Sequence, residues 1–182
     1  MKKRKTESKK RLQEALTQLL FEKDFENITI SDLCQKAGIN RGTFYLHYKD
    51  KNDMIDQLKN QSLDKLFHLL DSPSIYTDTK QLLIETLTLL KENFQFIEAV
   101  SQSSSLQFTQ TIKDFIYRVL VTVENHDHIV RQQYGGIPYE YALEVYLSSI
   151  ENIISYWIKS GGKESPEALT TIILKAVTLD QN

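Results

Sequence analysis

The chain has 182 residues, of which 41% are hydrophobic and 25% charged, so it buries a core and excludes intrinsic disorder. A single cysteine, Cys34, excludes an intrachain disulfide. No apolar run approaches the roughly 20 residues that span a bilayer, and the basic start Met1-Lys-Lys-Arg-Lys has no apolar stretch behind it, so a cytoplasmic protein without a membrane partner is expected. The net charge of −2 hides an asymmetry. Residues 1–51 hold 12 Lys and Arg against 7 Asp and Glu, a balance of +5, and the remainder balances at −7. A basic first third on an acidic remainder suggests that one part meets phosphate.

Three prolines and six glycines favour helices, and the hydrophobic period is helical nearly throughout. Leu12, Ala15, Leu16, Leu19 and Leu20 place a first helix over about 7–23, with Phe25 and Ile28 packing in the connection. Thr29 reads as the N-cap of a short second helix with Asp32 as its acidic partner. Gly38 ends that helix in the manner of a left-handed C′ residue, and Asn40 caps the next, 41–48. Asp50 and Asp53 open a longer helix, 51–70. Ser72-Pro73-Ser74 is a break. Helices follow over 79–99 and about 106–124, separated by the polar run Ser101 to Ser105. A polar, histidine-bearing loop is expected over Asn125 to Gly136. A long helix runs from Pro138 to Ser160, and Gly161-Gly162 stops it. Ser165-Pro166-Glu167 starts the last helix, 166–179, with Pro in the first turn.

Two short helices joined by a glycine turn form a helix-turn-helix, whose second helix enters the major groove. Gly38 supplies the sharp turn. Leu33, Ala37, Ile39 and Phe44 pack the pair, and the small Cys34 lets the helices approach. Arg41, Thr43, Tyr45, His47, Tyr48 and Lys51 offer donors and aromatics at helical spacing.

The string AGINRGTFYLHYKDKNDMI (Ala37 to Ile55), preceded by ITISDLCQK, resembles the TetR family of repressors. Its marks are a small residue before glycine, a recognition helix ending in Phe-Tyr-x-His-Tyr, and a lysine opening the fourth helix. The resemblance implies an all-α protein. An N-terminal helix-turn-helix domain, 1–50, would precede a C-terminal helical ligand-binding and dimerisation domain, 51–182. It implies a sequence-specific regulator of transcription, a ligand-responsive repressor acting as a homodimer on a double-stranded operator. By position, Thr29 would bond a phosphate and Arg41 would reach guanine edges. Gly42 would leave the helix start bare for the duplex, and Thr43 would touch base or phosphate. Tyr45 and His47 would clamp phosphates, with Tyr48 either a clamp or a core residue. Lys51 would share a phosphate with the helix N-terminus, so that its loss flattens the salt dependence of binding. Lys2 to Arg11 would add non-specific attraction.

The resemblance further implies pairing of the last two helices across a two-fold axis, through Leu147, Ile150, Ile154, Trp157, Leu169, Ile172, Ile173 and Ala176. Candidate walls of an effector pocket are Phe67, Leu90, Phe94, Phe115, Tyr117, Tyr134, Tyr141 and Tyr146, with the tyrosine hydroxyls as polar anchors. This part of the chain also resembles TetR-type regulators grouped with dihydroxyacetone-kinase regulators. A co-activator or adaptor, whose C-terminal domain binds a partner protein, is therefore the alternative.

No enzyme is expected: a Gly-x-Ser-x-Gly elbow, a P-loop, a dinucleotide fingerprint and paired zinc spacings are all missing, and no catalytic residue or cofactor is assigned. His126-Asp127-His128 reads as polar loop and not as a metal site.

Overall fold

The structure, a computed structural model, describes the backbone of residues 2–70, 79–123 and 125–177, and the side chains of all of these except 2–5 and 62–70. The described residues form ten α-helices and two 3-10 turns, with no strand. The helices are α1 (Lys2–Glu22), α2 (Ile30–Ala37), α3 (Arg41–Tyr45), α4 (Lys51–Leu70), α5 (Thr79–Glu92), α6 (Phe94–Gln102), α7 (Phe108–Thr122), α8 (His126–Gln133), α9 (Tyr139–Lys159) and α10 (Pro166–Val177). They fall into two compact units, Met1–Lys65 with Gln95–Leu106, and Leu66–Phe94 with Gln107–Asn182.

The first unit is built on the α1 stripe. Leu12, Ala15, Leu16, Leu19 and Leu20 are all buried, as are Phe25 and Ile28 in the connection. Met54, Ile55 and Leu58 of α4, and Phe96, Ile97 and Val100 of α6, belong to the same unit and are also buried. The packing of this unit therefore runs beyond the residue-50 boundary expected from the sequence. Its polar ties are specific. The Asp24 carboxylate accepts the hydroxyls of Ser103 at 2.7 Å, Ser104 at 2.9 Å and Ser105 at 3.0 Å. These three donors hold the Asp24 carboxyl down at about 2, from an ordinary 3.8. The Lys59 ammonium donates to the Leu106 carbonyl at 3.0 Å.

The second unit packs α5 on α10, and α7, α8 and α10 on α9. The single helix expected over 79–99 is two helices. At Asn93 the amide side chain donates to the Leu89 carbonyl at 3.2 Å and the backbone N–H to Leu90 at 3.3 Å, which closes α5. The loop expected over 125–136 holds α8. Asn125, at φ 57°, starts it, Asp127 and Arg131 suit its two ends, and Val130 is fully buried. Its apolar content, Ile129 and Val130, is too short to show a period. At the α9–α10 corner, Trp157 donates to the Glu164 carbonyl at 3.1 Å and meets Phe94 edge-on at 5.5 Å. The Lys91 ammonium donates to the carbonyls of Gly162 and Glu164, each at 3.0 Å. A Cβ on Gly162 would lie 2.5 Å from the Phe94 ring, so only glycine fits that corner.

Candidate nucleic-acid interface

The helix-turn-helix is fixed by three caps. The Thr29 hydroxyl accepts from the Asp32 N–H at 3.1 Å while the Asp32 carboxylate accepts from the Thr29 N–H at 2.9 Å, a reciprocal capping box. Lys23 adds an ion pair to Asp32 at 2.7 Å, and these contacts hold the Asp32 carboxyl at about 2. Gly38 sits at φ 62°, ψ 40°, and its N–H closes α2 on the carbonyls of Cys34 and Gln35. The Asn40 carboxamide oxygen then accepts both the N–H of Thr43 at 2.7 Å and its hydroxyl at 3.0 Å. A Cβ on Gly42 would stand 3.3 Å from that oxygen, so Gly42 keeps the cap uncrowded.

Leu33, Cys34, Ala37, Phe44 and Tyr48 are buried, and Ile39 is half-buried. Burial pushes the Cys34 thiol up, which keeps it a packing residue. Phe44 and Tyr48, four apart, form one seam, with ring centroids 5.7 Å apart. The opposite face of α3 exposes Arg41, Gly42 and Tyr45, with Leu46 following at the C-cap, spaced i, i+1, i+4 and i+5, and Lys49 is exposed in the bend beyond the helix. Tyr45 is 56% exposed and Leu46 74%. Neither Arg41 nor the Lys49 side chain has an ion pair among the described residues. Lys36 and Lys23, by contrast, are each paired at 2.7 Å, to Glu22 and Asp32.

Of three residues expected on the DNA face, Tyr48 is buried, while His47 and Lys51 are half-buried and bonded within their own unit. Tyr48 is 2% exposed, with burial pushing its phenol up, so it is a core residue and not a phosphate clamp. His47 is half-buried and its Nε2 bonds the buried Ser8 hydroxyl at 2.7 Å, tying the turn after α3 to α1. The Lys51 ammonium donates to the carbonyls of Phe25 at 3.0 Å and Glu26 at 2.8 Å, and lies 4.9 Å from the centre of the Phe25 ring. It closes the 3-10 turn Phe25–Asn27 and stays half-exposed. Thr29, Arg41, Gly42 and Tyr45 are exposed and Thr43 is half-buried. Sequence reading passed over the exposed Leu46, because it followed donor chemistry, and the exposed Lys49, which lies in the bend beyond the recognition helix. A signal for the His47 bond was present: Ser8 continues the Leu12–Leu16–Leu19 stripe and so requires a buried partner.

In the second unit the expected effector walls differ in their exposure. Phe94 packs on Trp157, and Tyr117 and Tyr141 are 45% and 69% exposed. Phe115 is buried, while Leu90, Tyr134 and Tyr146 are half-buried. Burial, with Tyr134 nearby, pushes the Tyr146 phenol up. The Phe67 side chain lies outside the described residues. Among the expected pairing residues, Leu147, Ile150, Ile154, Trp157, Leu169 and Ile173 are buried within their own unit. Only Ile172, 44% exposed, and Ala176 are exposed. The apolar stripes on α9 and α10 fill the protomer's own core. The faces they leave open carry Val145 and Tyr156 on α9, and Ala168, Ile172 and Ala176 on α10.

Two family models match the chain. Residues 12–58 match the one described as bacterial regulatory proteins, tetR family, and residues 77–179 the one described as transcriptional regulator C-terminal region. The chain belongs to the TetR family. It therefore carries the helix-turn-helix DNA-binding domain of that family of transcriptional regulators. TetR-family regulators bind DNA operators and act as dimers. Among relatives, the uncharacterized HTH-type transcriptional regulator YxbF of Bacillus subtilis is 26% identical over 173 residues, 92% of this chain and 44% of its own length. The uncharacterized regulator YvdT of the same organism is 25% identical over 76% of each chain. This chain thus spans under half the length of YxbF. The fold matches a solved TetR transcriptional regulator from Streptococcus agalactiae, with a TM-score of 0.62 and 23% identity over 97% of this chain and 96% of that one. It also matches the dihydroxyacetone kinase operon activator DhaS, with a TM-score of 0.61 and 19% identity over 93% of each. No helix among the described residues is long and apolar enough to cross a membrane.

Proposed function

We propose that this TetR-family chain is a cytoplasmic, ligand-responsive repressor that binds a two-fold operator as a homodimer. The observation that carries the reading is the exposed side of α3, with Arg41 on it and Lys49 just beyond it, neither in an ion pair among the described residues, opposite a buried aromatic seam. Arg41 is assigned to base edges, where a bidentate contact to guanine discriminates by roughly 1–3 kcal/mol. Thr29, Tyr45 and Lys49 are assigned to phosphates, and Thr43 to holding Asn40 and the helix start. Pairing is assigned to the open faces of α9 and α10 around Tyr156 and Ile172, where exposed apolar surface calls for a cover. A dimer sets two recognition helices about 34–36 Å apart, one turn of the duplex. The DNA-binding role is assigned to the first unit and the effector role to the second. An effector acting around Tyr134 and Tyr146 lowers operator affinity by its differential affinity for the two dimer states, and by no more. Mobility shift with duplexes selected from a random pool tests the reading. Wild-type chain is expected to enrich a palindrome and Arg41→Ala to relax it, and equal enrichment by both would overturn the assignment.

A second reading has one observation in its favour. Tyr117, Val121, Ile129, Ile137 and Tyr141, on or beside α7, α8 and α9, are all exposed. A partner protein seated there would make the chain an adaptor or co-activator. Binding of operator without response to small molecules, together with capture of a defined partner, would favour it.

A further inference from the structure

The exposed column on α3 contains a side chain that none of the cations or hydroxyls accounts for. Leu46 is 74% exposed, at the C-cap of α3, with helical φ −70° and ψ −17°. Its N–H bonds the Gly42 carbonyl at 3.2 Å, so it stands one turn above Gly42 in the same column. Helical side chains lean toward the N-terminus, over the preceding turn. For Leu46 that turn is bare, because Gly42 has no side chain. Exposed Arg41 and Tyr45 precede Leu46 on the helix, and exposed Lys49 follows it in the bend beyond. A scattered surface leucine needs no explanation. This one stands between two cations in the chain, neither ion-paired among the described residues, on the face assigned above to a polyanion, and it is covered there only if that polyanion presents an apolar group. In the major groove of DNA the apolar group is the 5-methyl of thymine.

Resting on the DNA-binding reading above, we infer that Leu46 is a specificity residue that packs on a thymine methyl in each half-site. Arg41 and Lys49 fix the register, and Leu46 distinguishes thymine from cytosine and from any unmethylated pyrimidine at one position. Gly42 serves this role by sparing the Asn40 cap.

The test separates the methyl from everything else in the duplex. The full-length chain selects sites from a random duplex pool, and each thymine of the selected site is then replaced singly by deoxyuridine, which removes only the methyl. Wild type is expected to lose about fourfold in affinity when one half-site is changed at the critical position, and about fifteenfold when both are, by the free energy of covering one methyl. Leu46→Ala is expected to bind the selected site more weakly and to show no effect of deoxyuridine at that position, while the effects at other thymines persist. Leu46 is exposed, so the variant folds, which a melting curve matching wild type verifies. Selection of a specific site whose thymine effects are the same in wild type and Leu46→Ala would overturn this inference alone. A pool from which wild type enriches nothing would overturn the DNA-binding reading and this inference with it.

Discussion

Lys51→Met distinguishes a structural lysine from a phosphate-binding one. The ammonium makes two charge-assisted bonds to main-chain carbonyls, at 3.0 and 2.8 Å, and lies over the Phe25 ring. With solvent competing at this half-exposed site, each bond is worth about 1 kcal/mol, and the cation over the ring about 0.5–1 kcal/mol more. Methionine keeps the apolar stem, so the loss is about 2–3 kcal/mol, a fall in melting temperature of about 5–10 °C for a chain of this size. The salt dependence carries the discrimination. A phosphate contact contributes about 0.9 to the slope of log affinity against log salt, so a dimer losing two would flatten it by about 1.8. The geometry predicts an unchanged slope with a lowered melting temperature, read by mobility shift over a salt series and by circular dichroism. A flattened slope with unchanged melting would refute the structural assignment and restore the role expected from the sequence.

Gly162→Ala should destabilise by about 2–4 kcal/mol, since it combines a left-handed backbone position with overlap on Phe94, whereas Gly161→Ala meets no atom within 4 Å and should lose only the backbone share of about 1–2 kcal/mol. Chemical denaturation of the two variants compares them, and equal losses would show that Phe94 yields freely. The Asp24 carboxyl is held at about 2 against an ordinary 3.8, so its contribution to stability is fully present above pH 4 and fades as the pH falls toward 2. Asp24→Asn should therefore be less stable than wild type at neutral pH, with the gap closing over that window, and an acid melting series showing a constant gap would refute the serine clasp. Ile172→Arg, on the open face of α10, should convert the dimer to monomer without unfolding it, as sedimentation would show, and a persisting dimer would place the pairing face elsewhere.

The first unit was legible because its signals are local. A five-residue apolar stripe, a capping box and one glycine at positive φ are each complete within a few positions, and Thr29, Gly38 and Asn40 do in the structure what their chemistry implies. The bonds of His47 and Lys51 were not legible, because their partners lie 39 and 25–26 residues away in the chain. Tyr48 was ambiguous, since a tyrosine at i+4 from a core phenylalanine suits either face until burial is known. On α9 the apolar stripe is broad because α7, α8 and α10 all pack against it. Leu147, Ile150 and Ile154 thus looked like a surface for a second chain while serving as the inside of their own. The break at Asn93 comes from one side-chain amide competing for main-chain carbonyls, and no hydrophobic period registers that.

The serine clasp also constrains how this regulator is to be rewired. The chain leaves the first unit after Lys65, returns to it at Gln95 and leaves again after Leu106. No single cut frees the DNA-reading part. A chimera that moves it onto another sensor must carry residues 95–106 along with the N-terminal segment, or supply a graft with its own hydroxyls for Asp24 and its own carbonyl for Lys59. Of the three junctions, those after Lys65 and Phe94 fall inside α4 and α6, so a linker library belongs after Leu106 and not after the recognition helix.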